Sequence, residues 1–214
     1  MDGLSATIDT CRKIWFMFPP TNHNLELMKA ELGQNAKLLR IGYQMEGGVV
    51  CETTGGQAVY LPAGCIHAVF TLEGGFLVSL DFTTRESVQA FGRYIAKDLH
   101  RALDEESQRN CFFSYLDCLE VALYNQRVRI ATESWLTLEA SLQQVASRDL
   151  EWRQAAKKCW NKFFADMESI ELICPCGRAG MEESFADHMK ANHLRPVMMA
   201  YGPELSGRRS RQRH

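Results

Sequence analysis

No apolar run in this 214-residue chain approaches the ~20 residues that a membrane-spanning helix needs, so length alone excludes one. A basic-then-apolar leader is missing too: Asp2 and Asp9 fall where it would lie, and no secretory signal is expected. Neither charge is in excess. The 24 Lys and Arg against 26 Asp and Glu leave a net charge of −2, which argues against a broadly basic nucleic-acid surface but allows local patches. There is no internal repeat, and glycine nearly vanishes between Thr84 and Gly177.

What is present bounds the fold. Apolar residues make up 46% of the chain, enough to bury a core and to exclude bulk disorder. The length suits one medium domain with an appendage, or two small domains. Eight cysteines without a leader point to a reducing compartment and to free core thiols, with Cys174 and Cys176 as the exceptions.

Residues 1–84 read as strand-rich. KIWFMF (13–18) is an apolar run stopped by Pro19-Pro20. Thr21 or Asn24 can cap a short helix through LELMKAEL, ending at Gly33. Glycine pairs bracket a strand at Val49–Glu52. Strands follow at Gln57–Leu61, Ile66–Leu72 and Gly75–Phe82, parted by Pro62-Ala63-Gly64 and Glu73-Gly74-Gly75. Close strands with such turns predict a β-sandwich or small barrel. Residues 85–170 switch to helical spacing. Val88, Phe91, Tyr94 and Ile95 begin a stripe, and Phe113, Leu116, Trp135, Leu138, Leu142, Trp152 and Trp160 extend it. Such stripes are the core of a three- or four-helix bundle.

Residues 171–196 form a Cys/His module. Cys174-x-Cys176 is followed after eleven residues by His188, and after four more by His193. Tetrahedral Zn(II) takes such a set: a Cys pair from a turn and a His pair from a helix. The module is similar to a two-Cys, two-His zinc finger, with one residue rather than two to four between the cysteines. The other reading is a free-thiol loop leading into an amphipathic helix with incidental histidines. Acidic Glu182, Glu183 and Asp187 on that helix would repel phosphate, which favours a structural or protein-contact role over DNA reading. Residues 197–214 end in SGRRSRQRH, a basic and disordered tail on sequence grounds. It suits weak nucleic-acid contact or nuclear import, or is simply solvated.

His67, in PAGCIH, is taken alone more often a packed core histidine than a ligand. Lys13, on an apolar strand facing a barrel interior, needs an anionic partner. KIWFMFPPT (13–21), the spacing from Lys13 to His67, and GGQAVYLPAGCIHAVFTLEGGFLVSLDF (55–82) together resemble the JmjC-domain Fe(II)/2-oxoglutarate dioxygenases, those related to histone lysine demethylases in particular. The resemblance covers roughly residues 3–84. It implies an α+β chain: a partial double-stranded β-helix (a cupin jelly roll), then the helical bundle and the zinc-finger-like module. The family holds Fe(II) through His-x-Asp/Glu and a distal histidine. Residue by residue, His67 matches that distal iron ligand, and Lys13 the lysine that pairs with the far carboxylate of 2-oxoglutarate. Asp81 falls where relatives carry an asparagine beside the co-substrate. The His-x-Asp motif should precede Lys13, and no histidine does. The resemblance therefore implies an N-terminally truncated domain that is inactive as this chain. It further implies a nuclear setting and a histone or other chromatin protein as partner, without a membrane. The alternative is a chromatin-associated binding module that uses the helical region and the finger for protein contacts.

Overall fold

The computed structural model describes residues 1–167, 172–177 and 184–199. Glu182, Glu183 and the basic tail lie outside the described residues. Six strands come first: β1 (Asp2–Ile8), β2 (Arg12–Phe18), β3 (Val49–Thr53), β4 (Ala58–Leu61), β5 (Ile66–Glu73) and β6 (Phe76–Phe82). Between β2 and β3 lie α1 (Asn22–Ala30) and the short α2 (Lys37–Ile41). Then come α3 (Ser87–Ala96), α4 (Glu105–Tyr124), α5 (Val128–Arg148), α6 (Leu150–Asp166), α7 (Phe185–Asn192) and α8 (Arg195–Met198). The chain is thus α+β. No helix among the described residues is long and apolar enough to cross a membrane.

The strands form two three-stranded antiparallel sheets, ordered β4-β1-β6 and β3-β2-β5. Side chains alternate between sheet faces, so the register assigns each residue a side. In the second sheet Trp15 is buried and packs against Val59 and Leu61 of the first, which defines the inward faces. Its indole Nε1 donates to Thr53 Oγ1 at 2.8 Å.

Strand β1 is central to its sheet, and the sequence pattern hides it. Its polar residues Ser5 and Thr7 are buried, whereas Leu4 and Ile8 are exposed. The inverted pattern works because the hydroxyls are bonded. Ser5 Oγ meets Ser79 Oγ at 2.8 Å, and Thr7 Oγ1 donates to Thr54 O and Gln57 O. Helix α1 is capped by Thr21, whose Oγ1 accepts from Asn24 N at 3.2 Å. It stops at Ala30, three residues before Gly33. Asn24 is no cap. It is buried and its amide bridges Pro19 O and Glu46 O.

The main core lies in the helices. Side-chain caps start α4 (Asp104 accepting from Ser107 N, 2.8 Å) and α6 (Asp149 accepting from Trp152 N, 2.9 Å). Trp135, Trp152 and Trp160 are buried together. The Trp135 and Trp152 rings stack 6.3 Å apart, and Trp160 meets Trp135 edge-on at 5.4 Å. Burial pushes the Cys111 and Cys118 thiols up to about 11 and that of Cys159 to about 12. These are core-filling thiols, protonated at neutral pH. None of the eight cysteines is in a disulfide, and Cys51, Cys65 and Cys176 are only half-buried.

Two bonds sets join sheets to bundle. Asp2 is buried at the start of β1 and accepts from Ser87 Oγ, Thr84 Oγ1, Tyr60 OH and Ala63 N. A second small core packs Leu25, Ile41, Met45 and Ile66 against Leu99, with ion pairs Lys97–Glu26 and Lys29–Asp98 at its rim.

Candidate functional site

Strand register settles where the sequence-derived residues fall. Lys13 pairs with Thr71, Trp15 with Val69 and Met17 with His67. Lys13 and His67 therefore share the inward face of the second sheet, two rows apart, with Trp15 between them. Lys13 Nζ donates to Thr71 Oγ1 at 2.7 Å. His67 is exposed on edge strand β5. Its ring lies 6.4 Å from Trp15, and Nδ1 is 3.2 Å from Cys65 O. Asp81 is on the other sheet. It pairs with Gly3, which also pairs with the inward Leu61, so Asp81 lies on that sheet's inward face and is exposed on edge strand β6. The three residues face one interior from two sheets.

An iron needs more than this face supplies. A two-His, one-carboxylate triad takes three converging donors. Among the described residues, the group of three or more Cys, His, Asp or Glu that converges is Cys174, Cys176, His188 and His193, and His67 has no such company. The residues present around His67 do not fit an iron.

The tetrad is another matter. One ligand atom from each of its four residues lies within 4.8 Å of the others. Cys174 and Cys176 flank Pro175, and Gly177 follows at φ +71°, a left-handed turn that glycine adopts freely. Ser184 caps α7, accepting from Asp187 N at 3.2 Å. His188 stands on that helix, with Nε2 3.2 Å from Cys176 Sγ. His193 is past the helix end, at its C-cap, where its N–H bonds Met189 O at 2.9 Å. Residues five apart on a straight helix would diverge by over a quarter turn. Leaving the helix at Asn192 brings the two rings to 5.2 Å.

Three of the four are buried, and Cys176 is half-buried. Burial pushes the Cys174 thiol up to about 11, so it keeps its proton until a cation replaces it. His193 Nδ1 lies 3.1 Å from Glu139 Oε2 on α5. A carboxylate accepts, so Nδ1 is the donor in this bond and Nε2 is the ring atom left for a metal. That Nε2 is buried and has no hydrogen-bond partner among the described residues. A solvent-open hollow of about 480 Å³, lined in part by Glu139, Pro175, Cys176 and His193, gives an ion a way in. The geometry defines a Cys/His cluster able to hold a metal.

Sequence spacing picked out the four Cys and His residues that converge here but not Glu139 or Trp135, which approach from another helix. A signal existed. Glu139 lies one turn after Trp135 on the same helix face, an acid beside the apolar stripe.

No protein-family model matches the chain. It is similar to JmjC domain-containing histone demethylation protein 1 of Kluyveromyces lactis, with 35% identity over 77 residues, which is 36% of this chain and 16% of that protein. The protein of the same name from Candida glabrata is 30% identical over 74 residues, 34% of this chain and 18% of its own length. The matched stretch thus spans under a fifth of these curated relatives. These similarities support a JmjC-related protein.

Proposed function

We propose that the two sheets are part of a JmjC-type double-stranded β-helix, and that the chain is related to nuclear Fe(II)/2-oxoglutarate-dependent histone demethylases. The observation that carries this reading is the shared inward face of Lys13 and His67, with Trp15 between them. The names of the two similar proteins support the histone connection and a nuclear setting. In this reading Lys13 is the cation for the far carboxylate of 2-oxoglutarate, exchanging its bond to Thr71 for one to the ligand. His67 holds the position of the distal iron ligand, and Asp81 lies across the interior. An anionic Asp81 beside a dianion is unfavourable, so it serves best hydrogen-bonded to solvent at the open edge.

His67 supplies one donor where three are needed, so the 214-residue chain is expected to release no succinate when given iron and 2-oxoglutarate. Robust release that is lost in His67→Ala would contradict this. Binding is separable from turnover. Calorimetric titration with 2-oxoglutarate should show weak binding that Lys13→Ala removes.

The lack of a converging donor trio at His67 favours a second reading, a chromatin-associated module that binds protein through the helices and the Cys/His segment. A histone pull-down by the full chain that survives both Lys13→Ala and His67→Ala supports it. We further infer that the tetrad takes Zn(II). Two thiolates and two imidazoles make a closed structural set, with no position left for a substrate.

A further inference from the structure

We propose that the zinc centre is a staple within the helical core, positioned by Glu139, rather than a free-standing recognition finger. The proposal rests on zinc occupying the tetrad and adds what the metal does there.

Three contacts tie the ligands to the bundle. Glu139 on α5 accepts from His193 Nδ1 at 3.1 Å. It thereby fixes the ring and its tautomer and aims Nε2 at the other ligands, the task of a carboxylate behind a metal-bound histidine. One turn earlier on the same helix, Trp135 Nε1 donates to the main-chain oxygen of His193 at 3.2 Å. Apolar residues between and beside the ligands complete the attachment. Phe185, Met189 and Leu194 are buried in the same core as Trp135 and Trp160, and Phe185 meets Phe164 at 6.4 Å. A DNA- or peptide-reading finger keeps its helix face free. Here that helix spends its apolar face on the bundle.

His193 Nε2 supplies the independent sign of a ligand. It is buried and has no hydrogen-bond partner among the described residues, and its residue belongs to the converging tetrad. The two cysteines of the tetrad lie beside its ring. With zinc, the same residues become four ligands, and α8, which touches α5 and α6, and α7, which meets α6 at Phe185 and Phe164, are locked to the bundle.

Metal content, chelation and substitution of the full chain test this in separable steps. Purified protein should carry one zinc per chain. Cobalt(II) exchanged into the site should show the visible d–d bands of a tetrahedral two-sulfur, two-nitrogen centre. Stripping the metal should shift the tryptophan emission and lower the melting temperature of the helical signal. Glu139→Gln should weaken zinc, measured by chelator competition, by about 10–100-fold and perturb the cobalt spectrum. Glu120→Gln, which loses only a surface pair with Lys162, should bind zinc as the parent does. Absence of stoichiometric zinc overturns the metal reading itself. Bound zinc whose removal leaves emission and melting unchanged overturns the staple. Unaltered affinity in Glu139→Gln overturns the role of Glu139.

Discussion

Ser87 Oγ donates to Asp2 Oδ2 at 2.5 Å, joining two buried residues 85 positions apart. The first strand is thereby pinned to the first turn of α3. Asp2→Ala would leave the Ser87, Thr84 and Tyr60 hydroxyls and the Ala63 N–H short of an acceptor. Ser87 is the buried donor among them, and stranding such a group costs about 1–3 kcal/mol before relaxation. A net loss of about 2–3 kcal/mol is expected in urea unfolding, seen first in the strand signal.

The same carboxylate sets an acid limit. Burial pushes its pKa up, but the bonds from Ser87, Tyr60, Thr84 and Ala63 outweigh burial and hold it below the usual 3.8. The folded state binds this proton less readily than the unfolded chain. Stability from Asp2 is therefore complete above about pH 4 and lost as pH falls through the lowered folded value. Asp2→Asn should flatten the pH dependence of unfolding in that window.

His100 acts at higher pH. Burial lowers its pKa, a shift that Asp98 opposes and Arg101 adds to, and its ring meets Phe112 edge-on at 5.3 Å. The neutral form is favoured in the fold. Stability is full above the unfolded value near 6.5 and declines as pH falls toward the lowered folded value. His100→Phe should remove this upper limb while keeping the aromatic contact.

Helix α3 crosses α5 at Gly92. A Cβ there would lie 2.6 Å from Ser134 Oγ. That hydroxyl donates to Val88 O and accepts from Tyr115 OH. Gly92→Ala should therefore destabilise by about 1–3 kcal/mol through overpacking, despite alanine's better helix propensity. Calorimetric melting checks it.

His67 should behave oppositely. It is exposed, and among the described residues its ring reaches Cys65 O and the Trp15 neighbourhood. His67→Ala should change stability by less than about 0.5 kcal/mol. A much larger loss would assign the residue to the fold instead.

Much of this was legible in advance, and the exceptions have causes. Strands β2 to β6 stood out because glycine and proline turns bracket them, and the helices because their stripes are long. Strand β1 was missed because its buried residues are Ser5 and Thr7. Their burial depends on partners at Ser79, Thr54 and Gln57, which sequence order does not bring near. The four residues of the Cys/His cluster follow from local spacing. Glu139 and Trp135 do not, since a helix 50-odd residues upstream delivers them. In the sequence Asp2 stood out only as an acidic residue where a leader would lie. Its work is to join strand and helix.

The open edges of β5 and β6 bear on how long the molecule survives. Among the described residues nothing pairs with either outer edge, and Phe70, Phe76 and Leu80 are each more than 60% exposed. Extended apolar backbone of this kind recruits further strands, from chaperones or from other copies of the chain. The soluble lifetime of the protein is then governed at its sheet margins while the tryptophan-rich bundle stays intact. A single lysine at Phe70 or Leu80 would act as a gatekeeper there, raising soluble yield without touching the bundle.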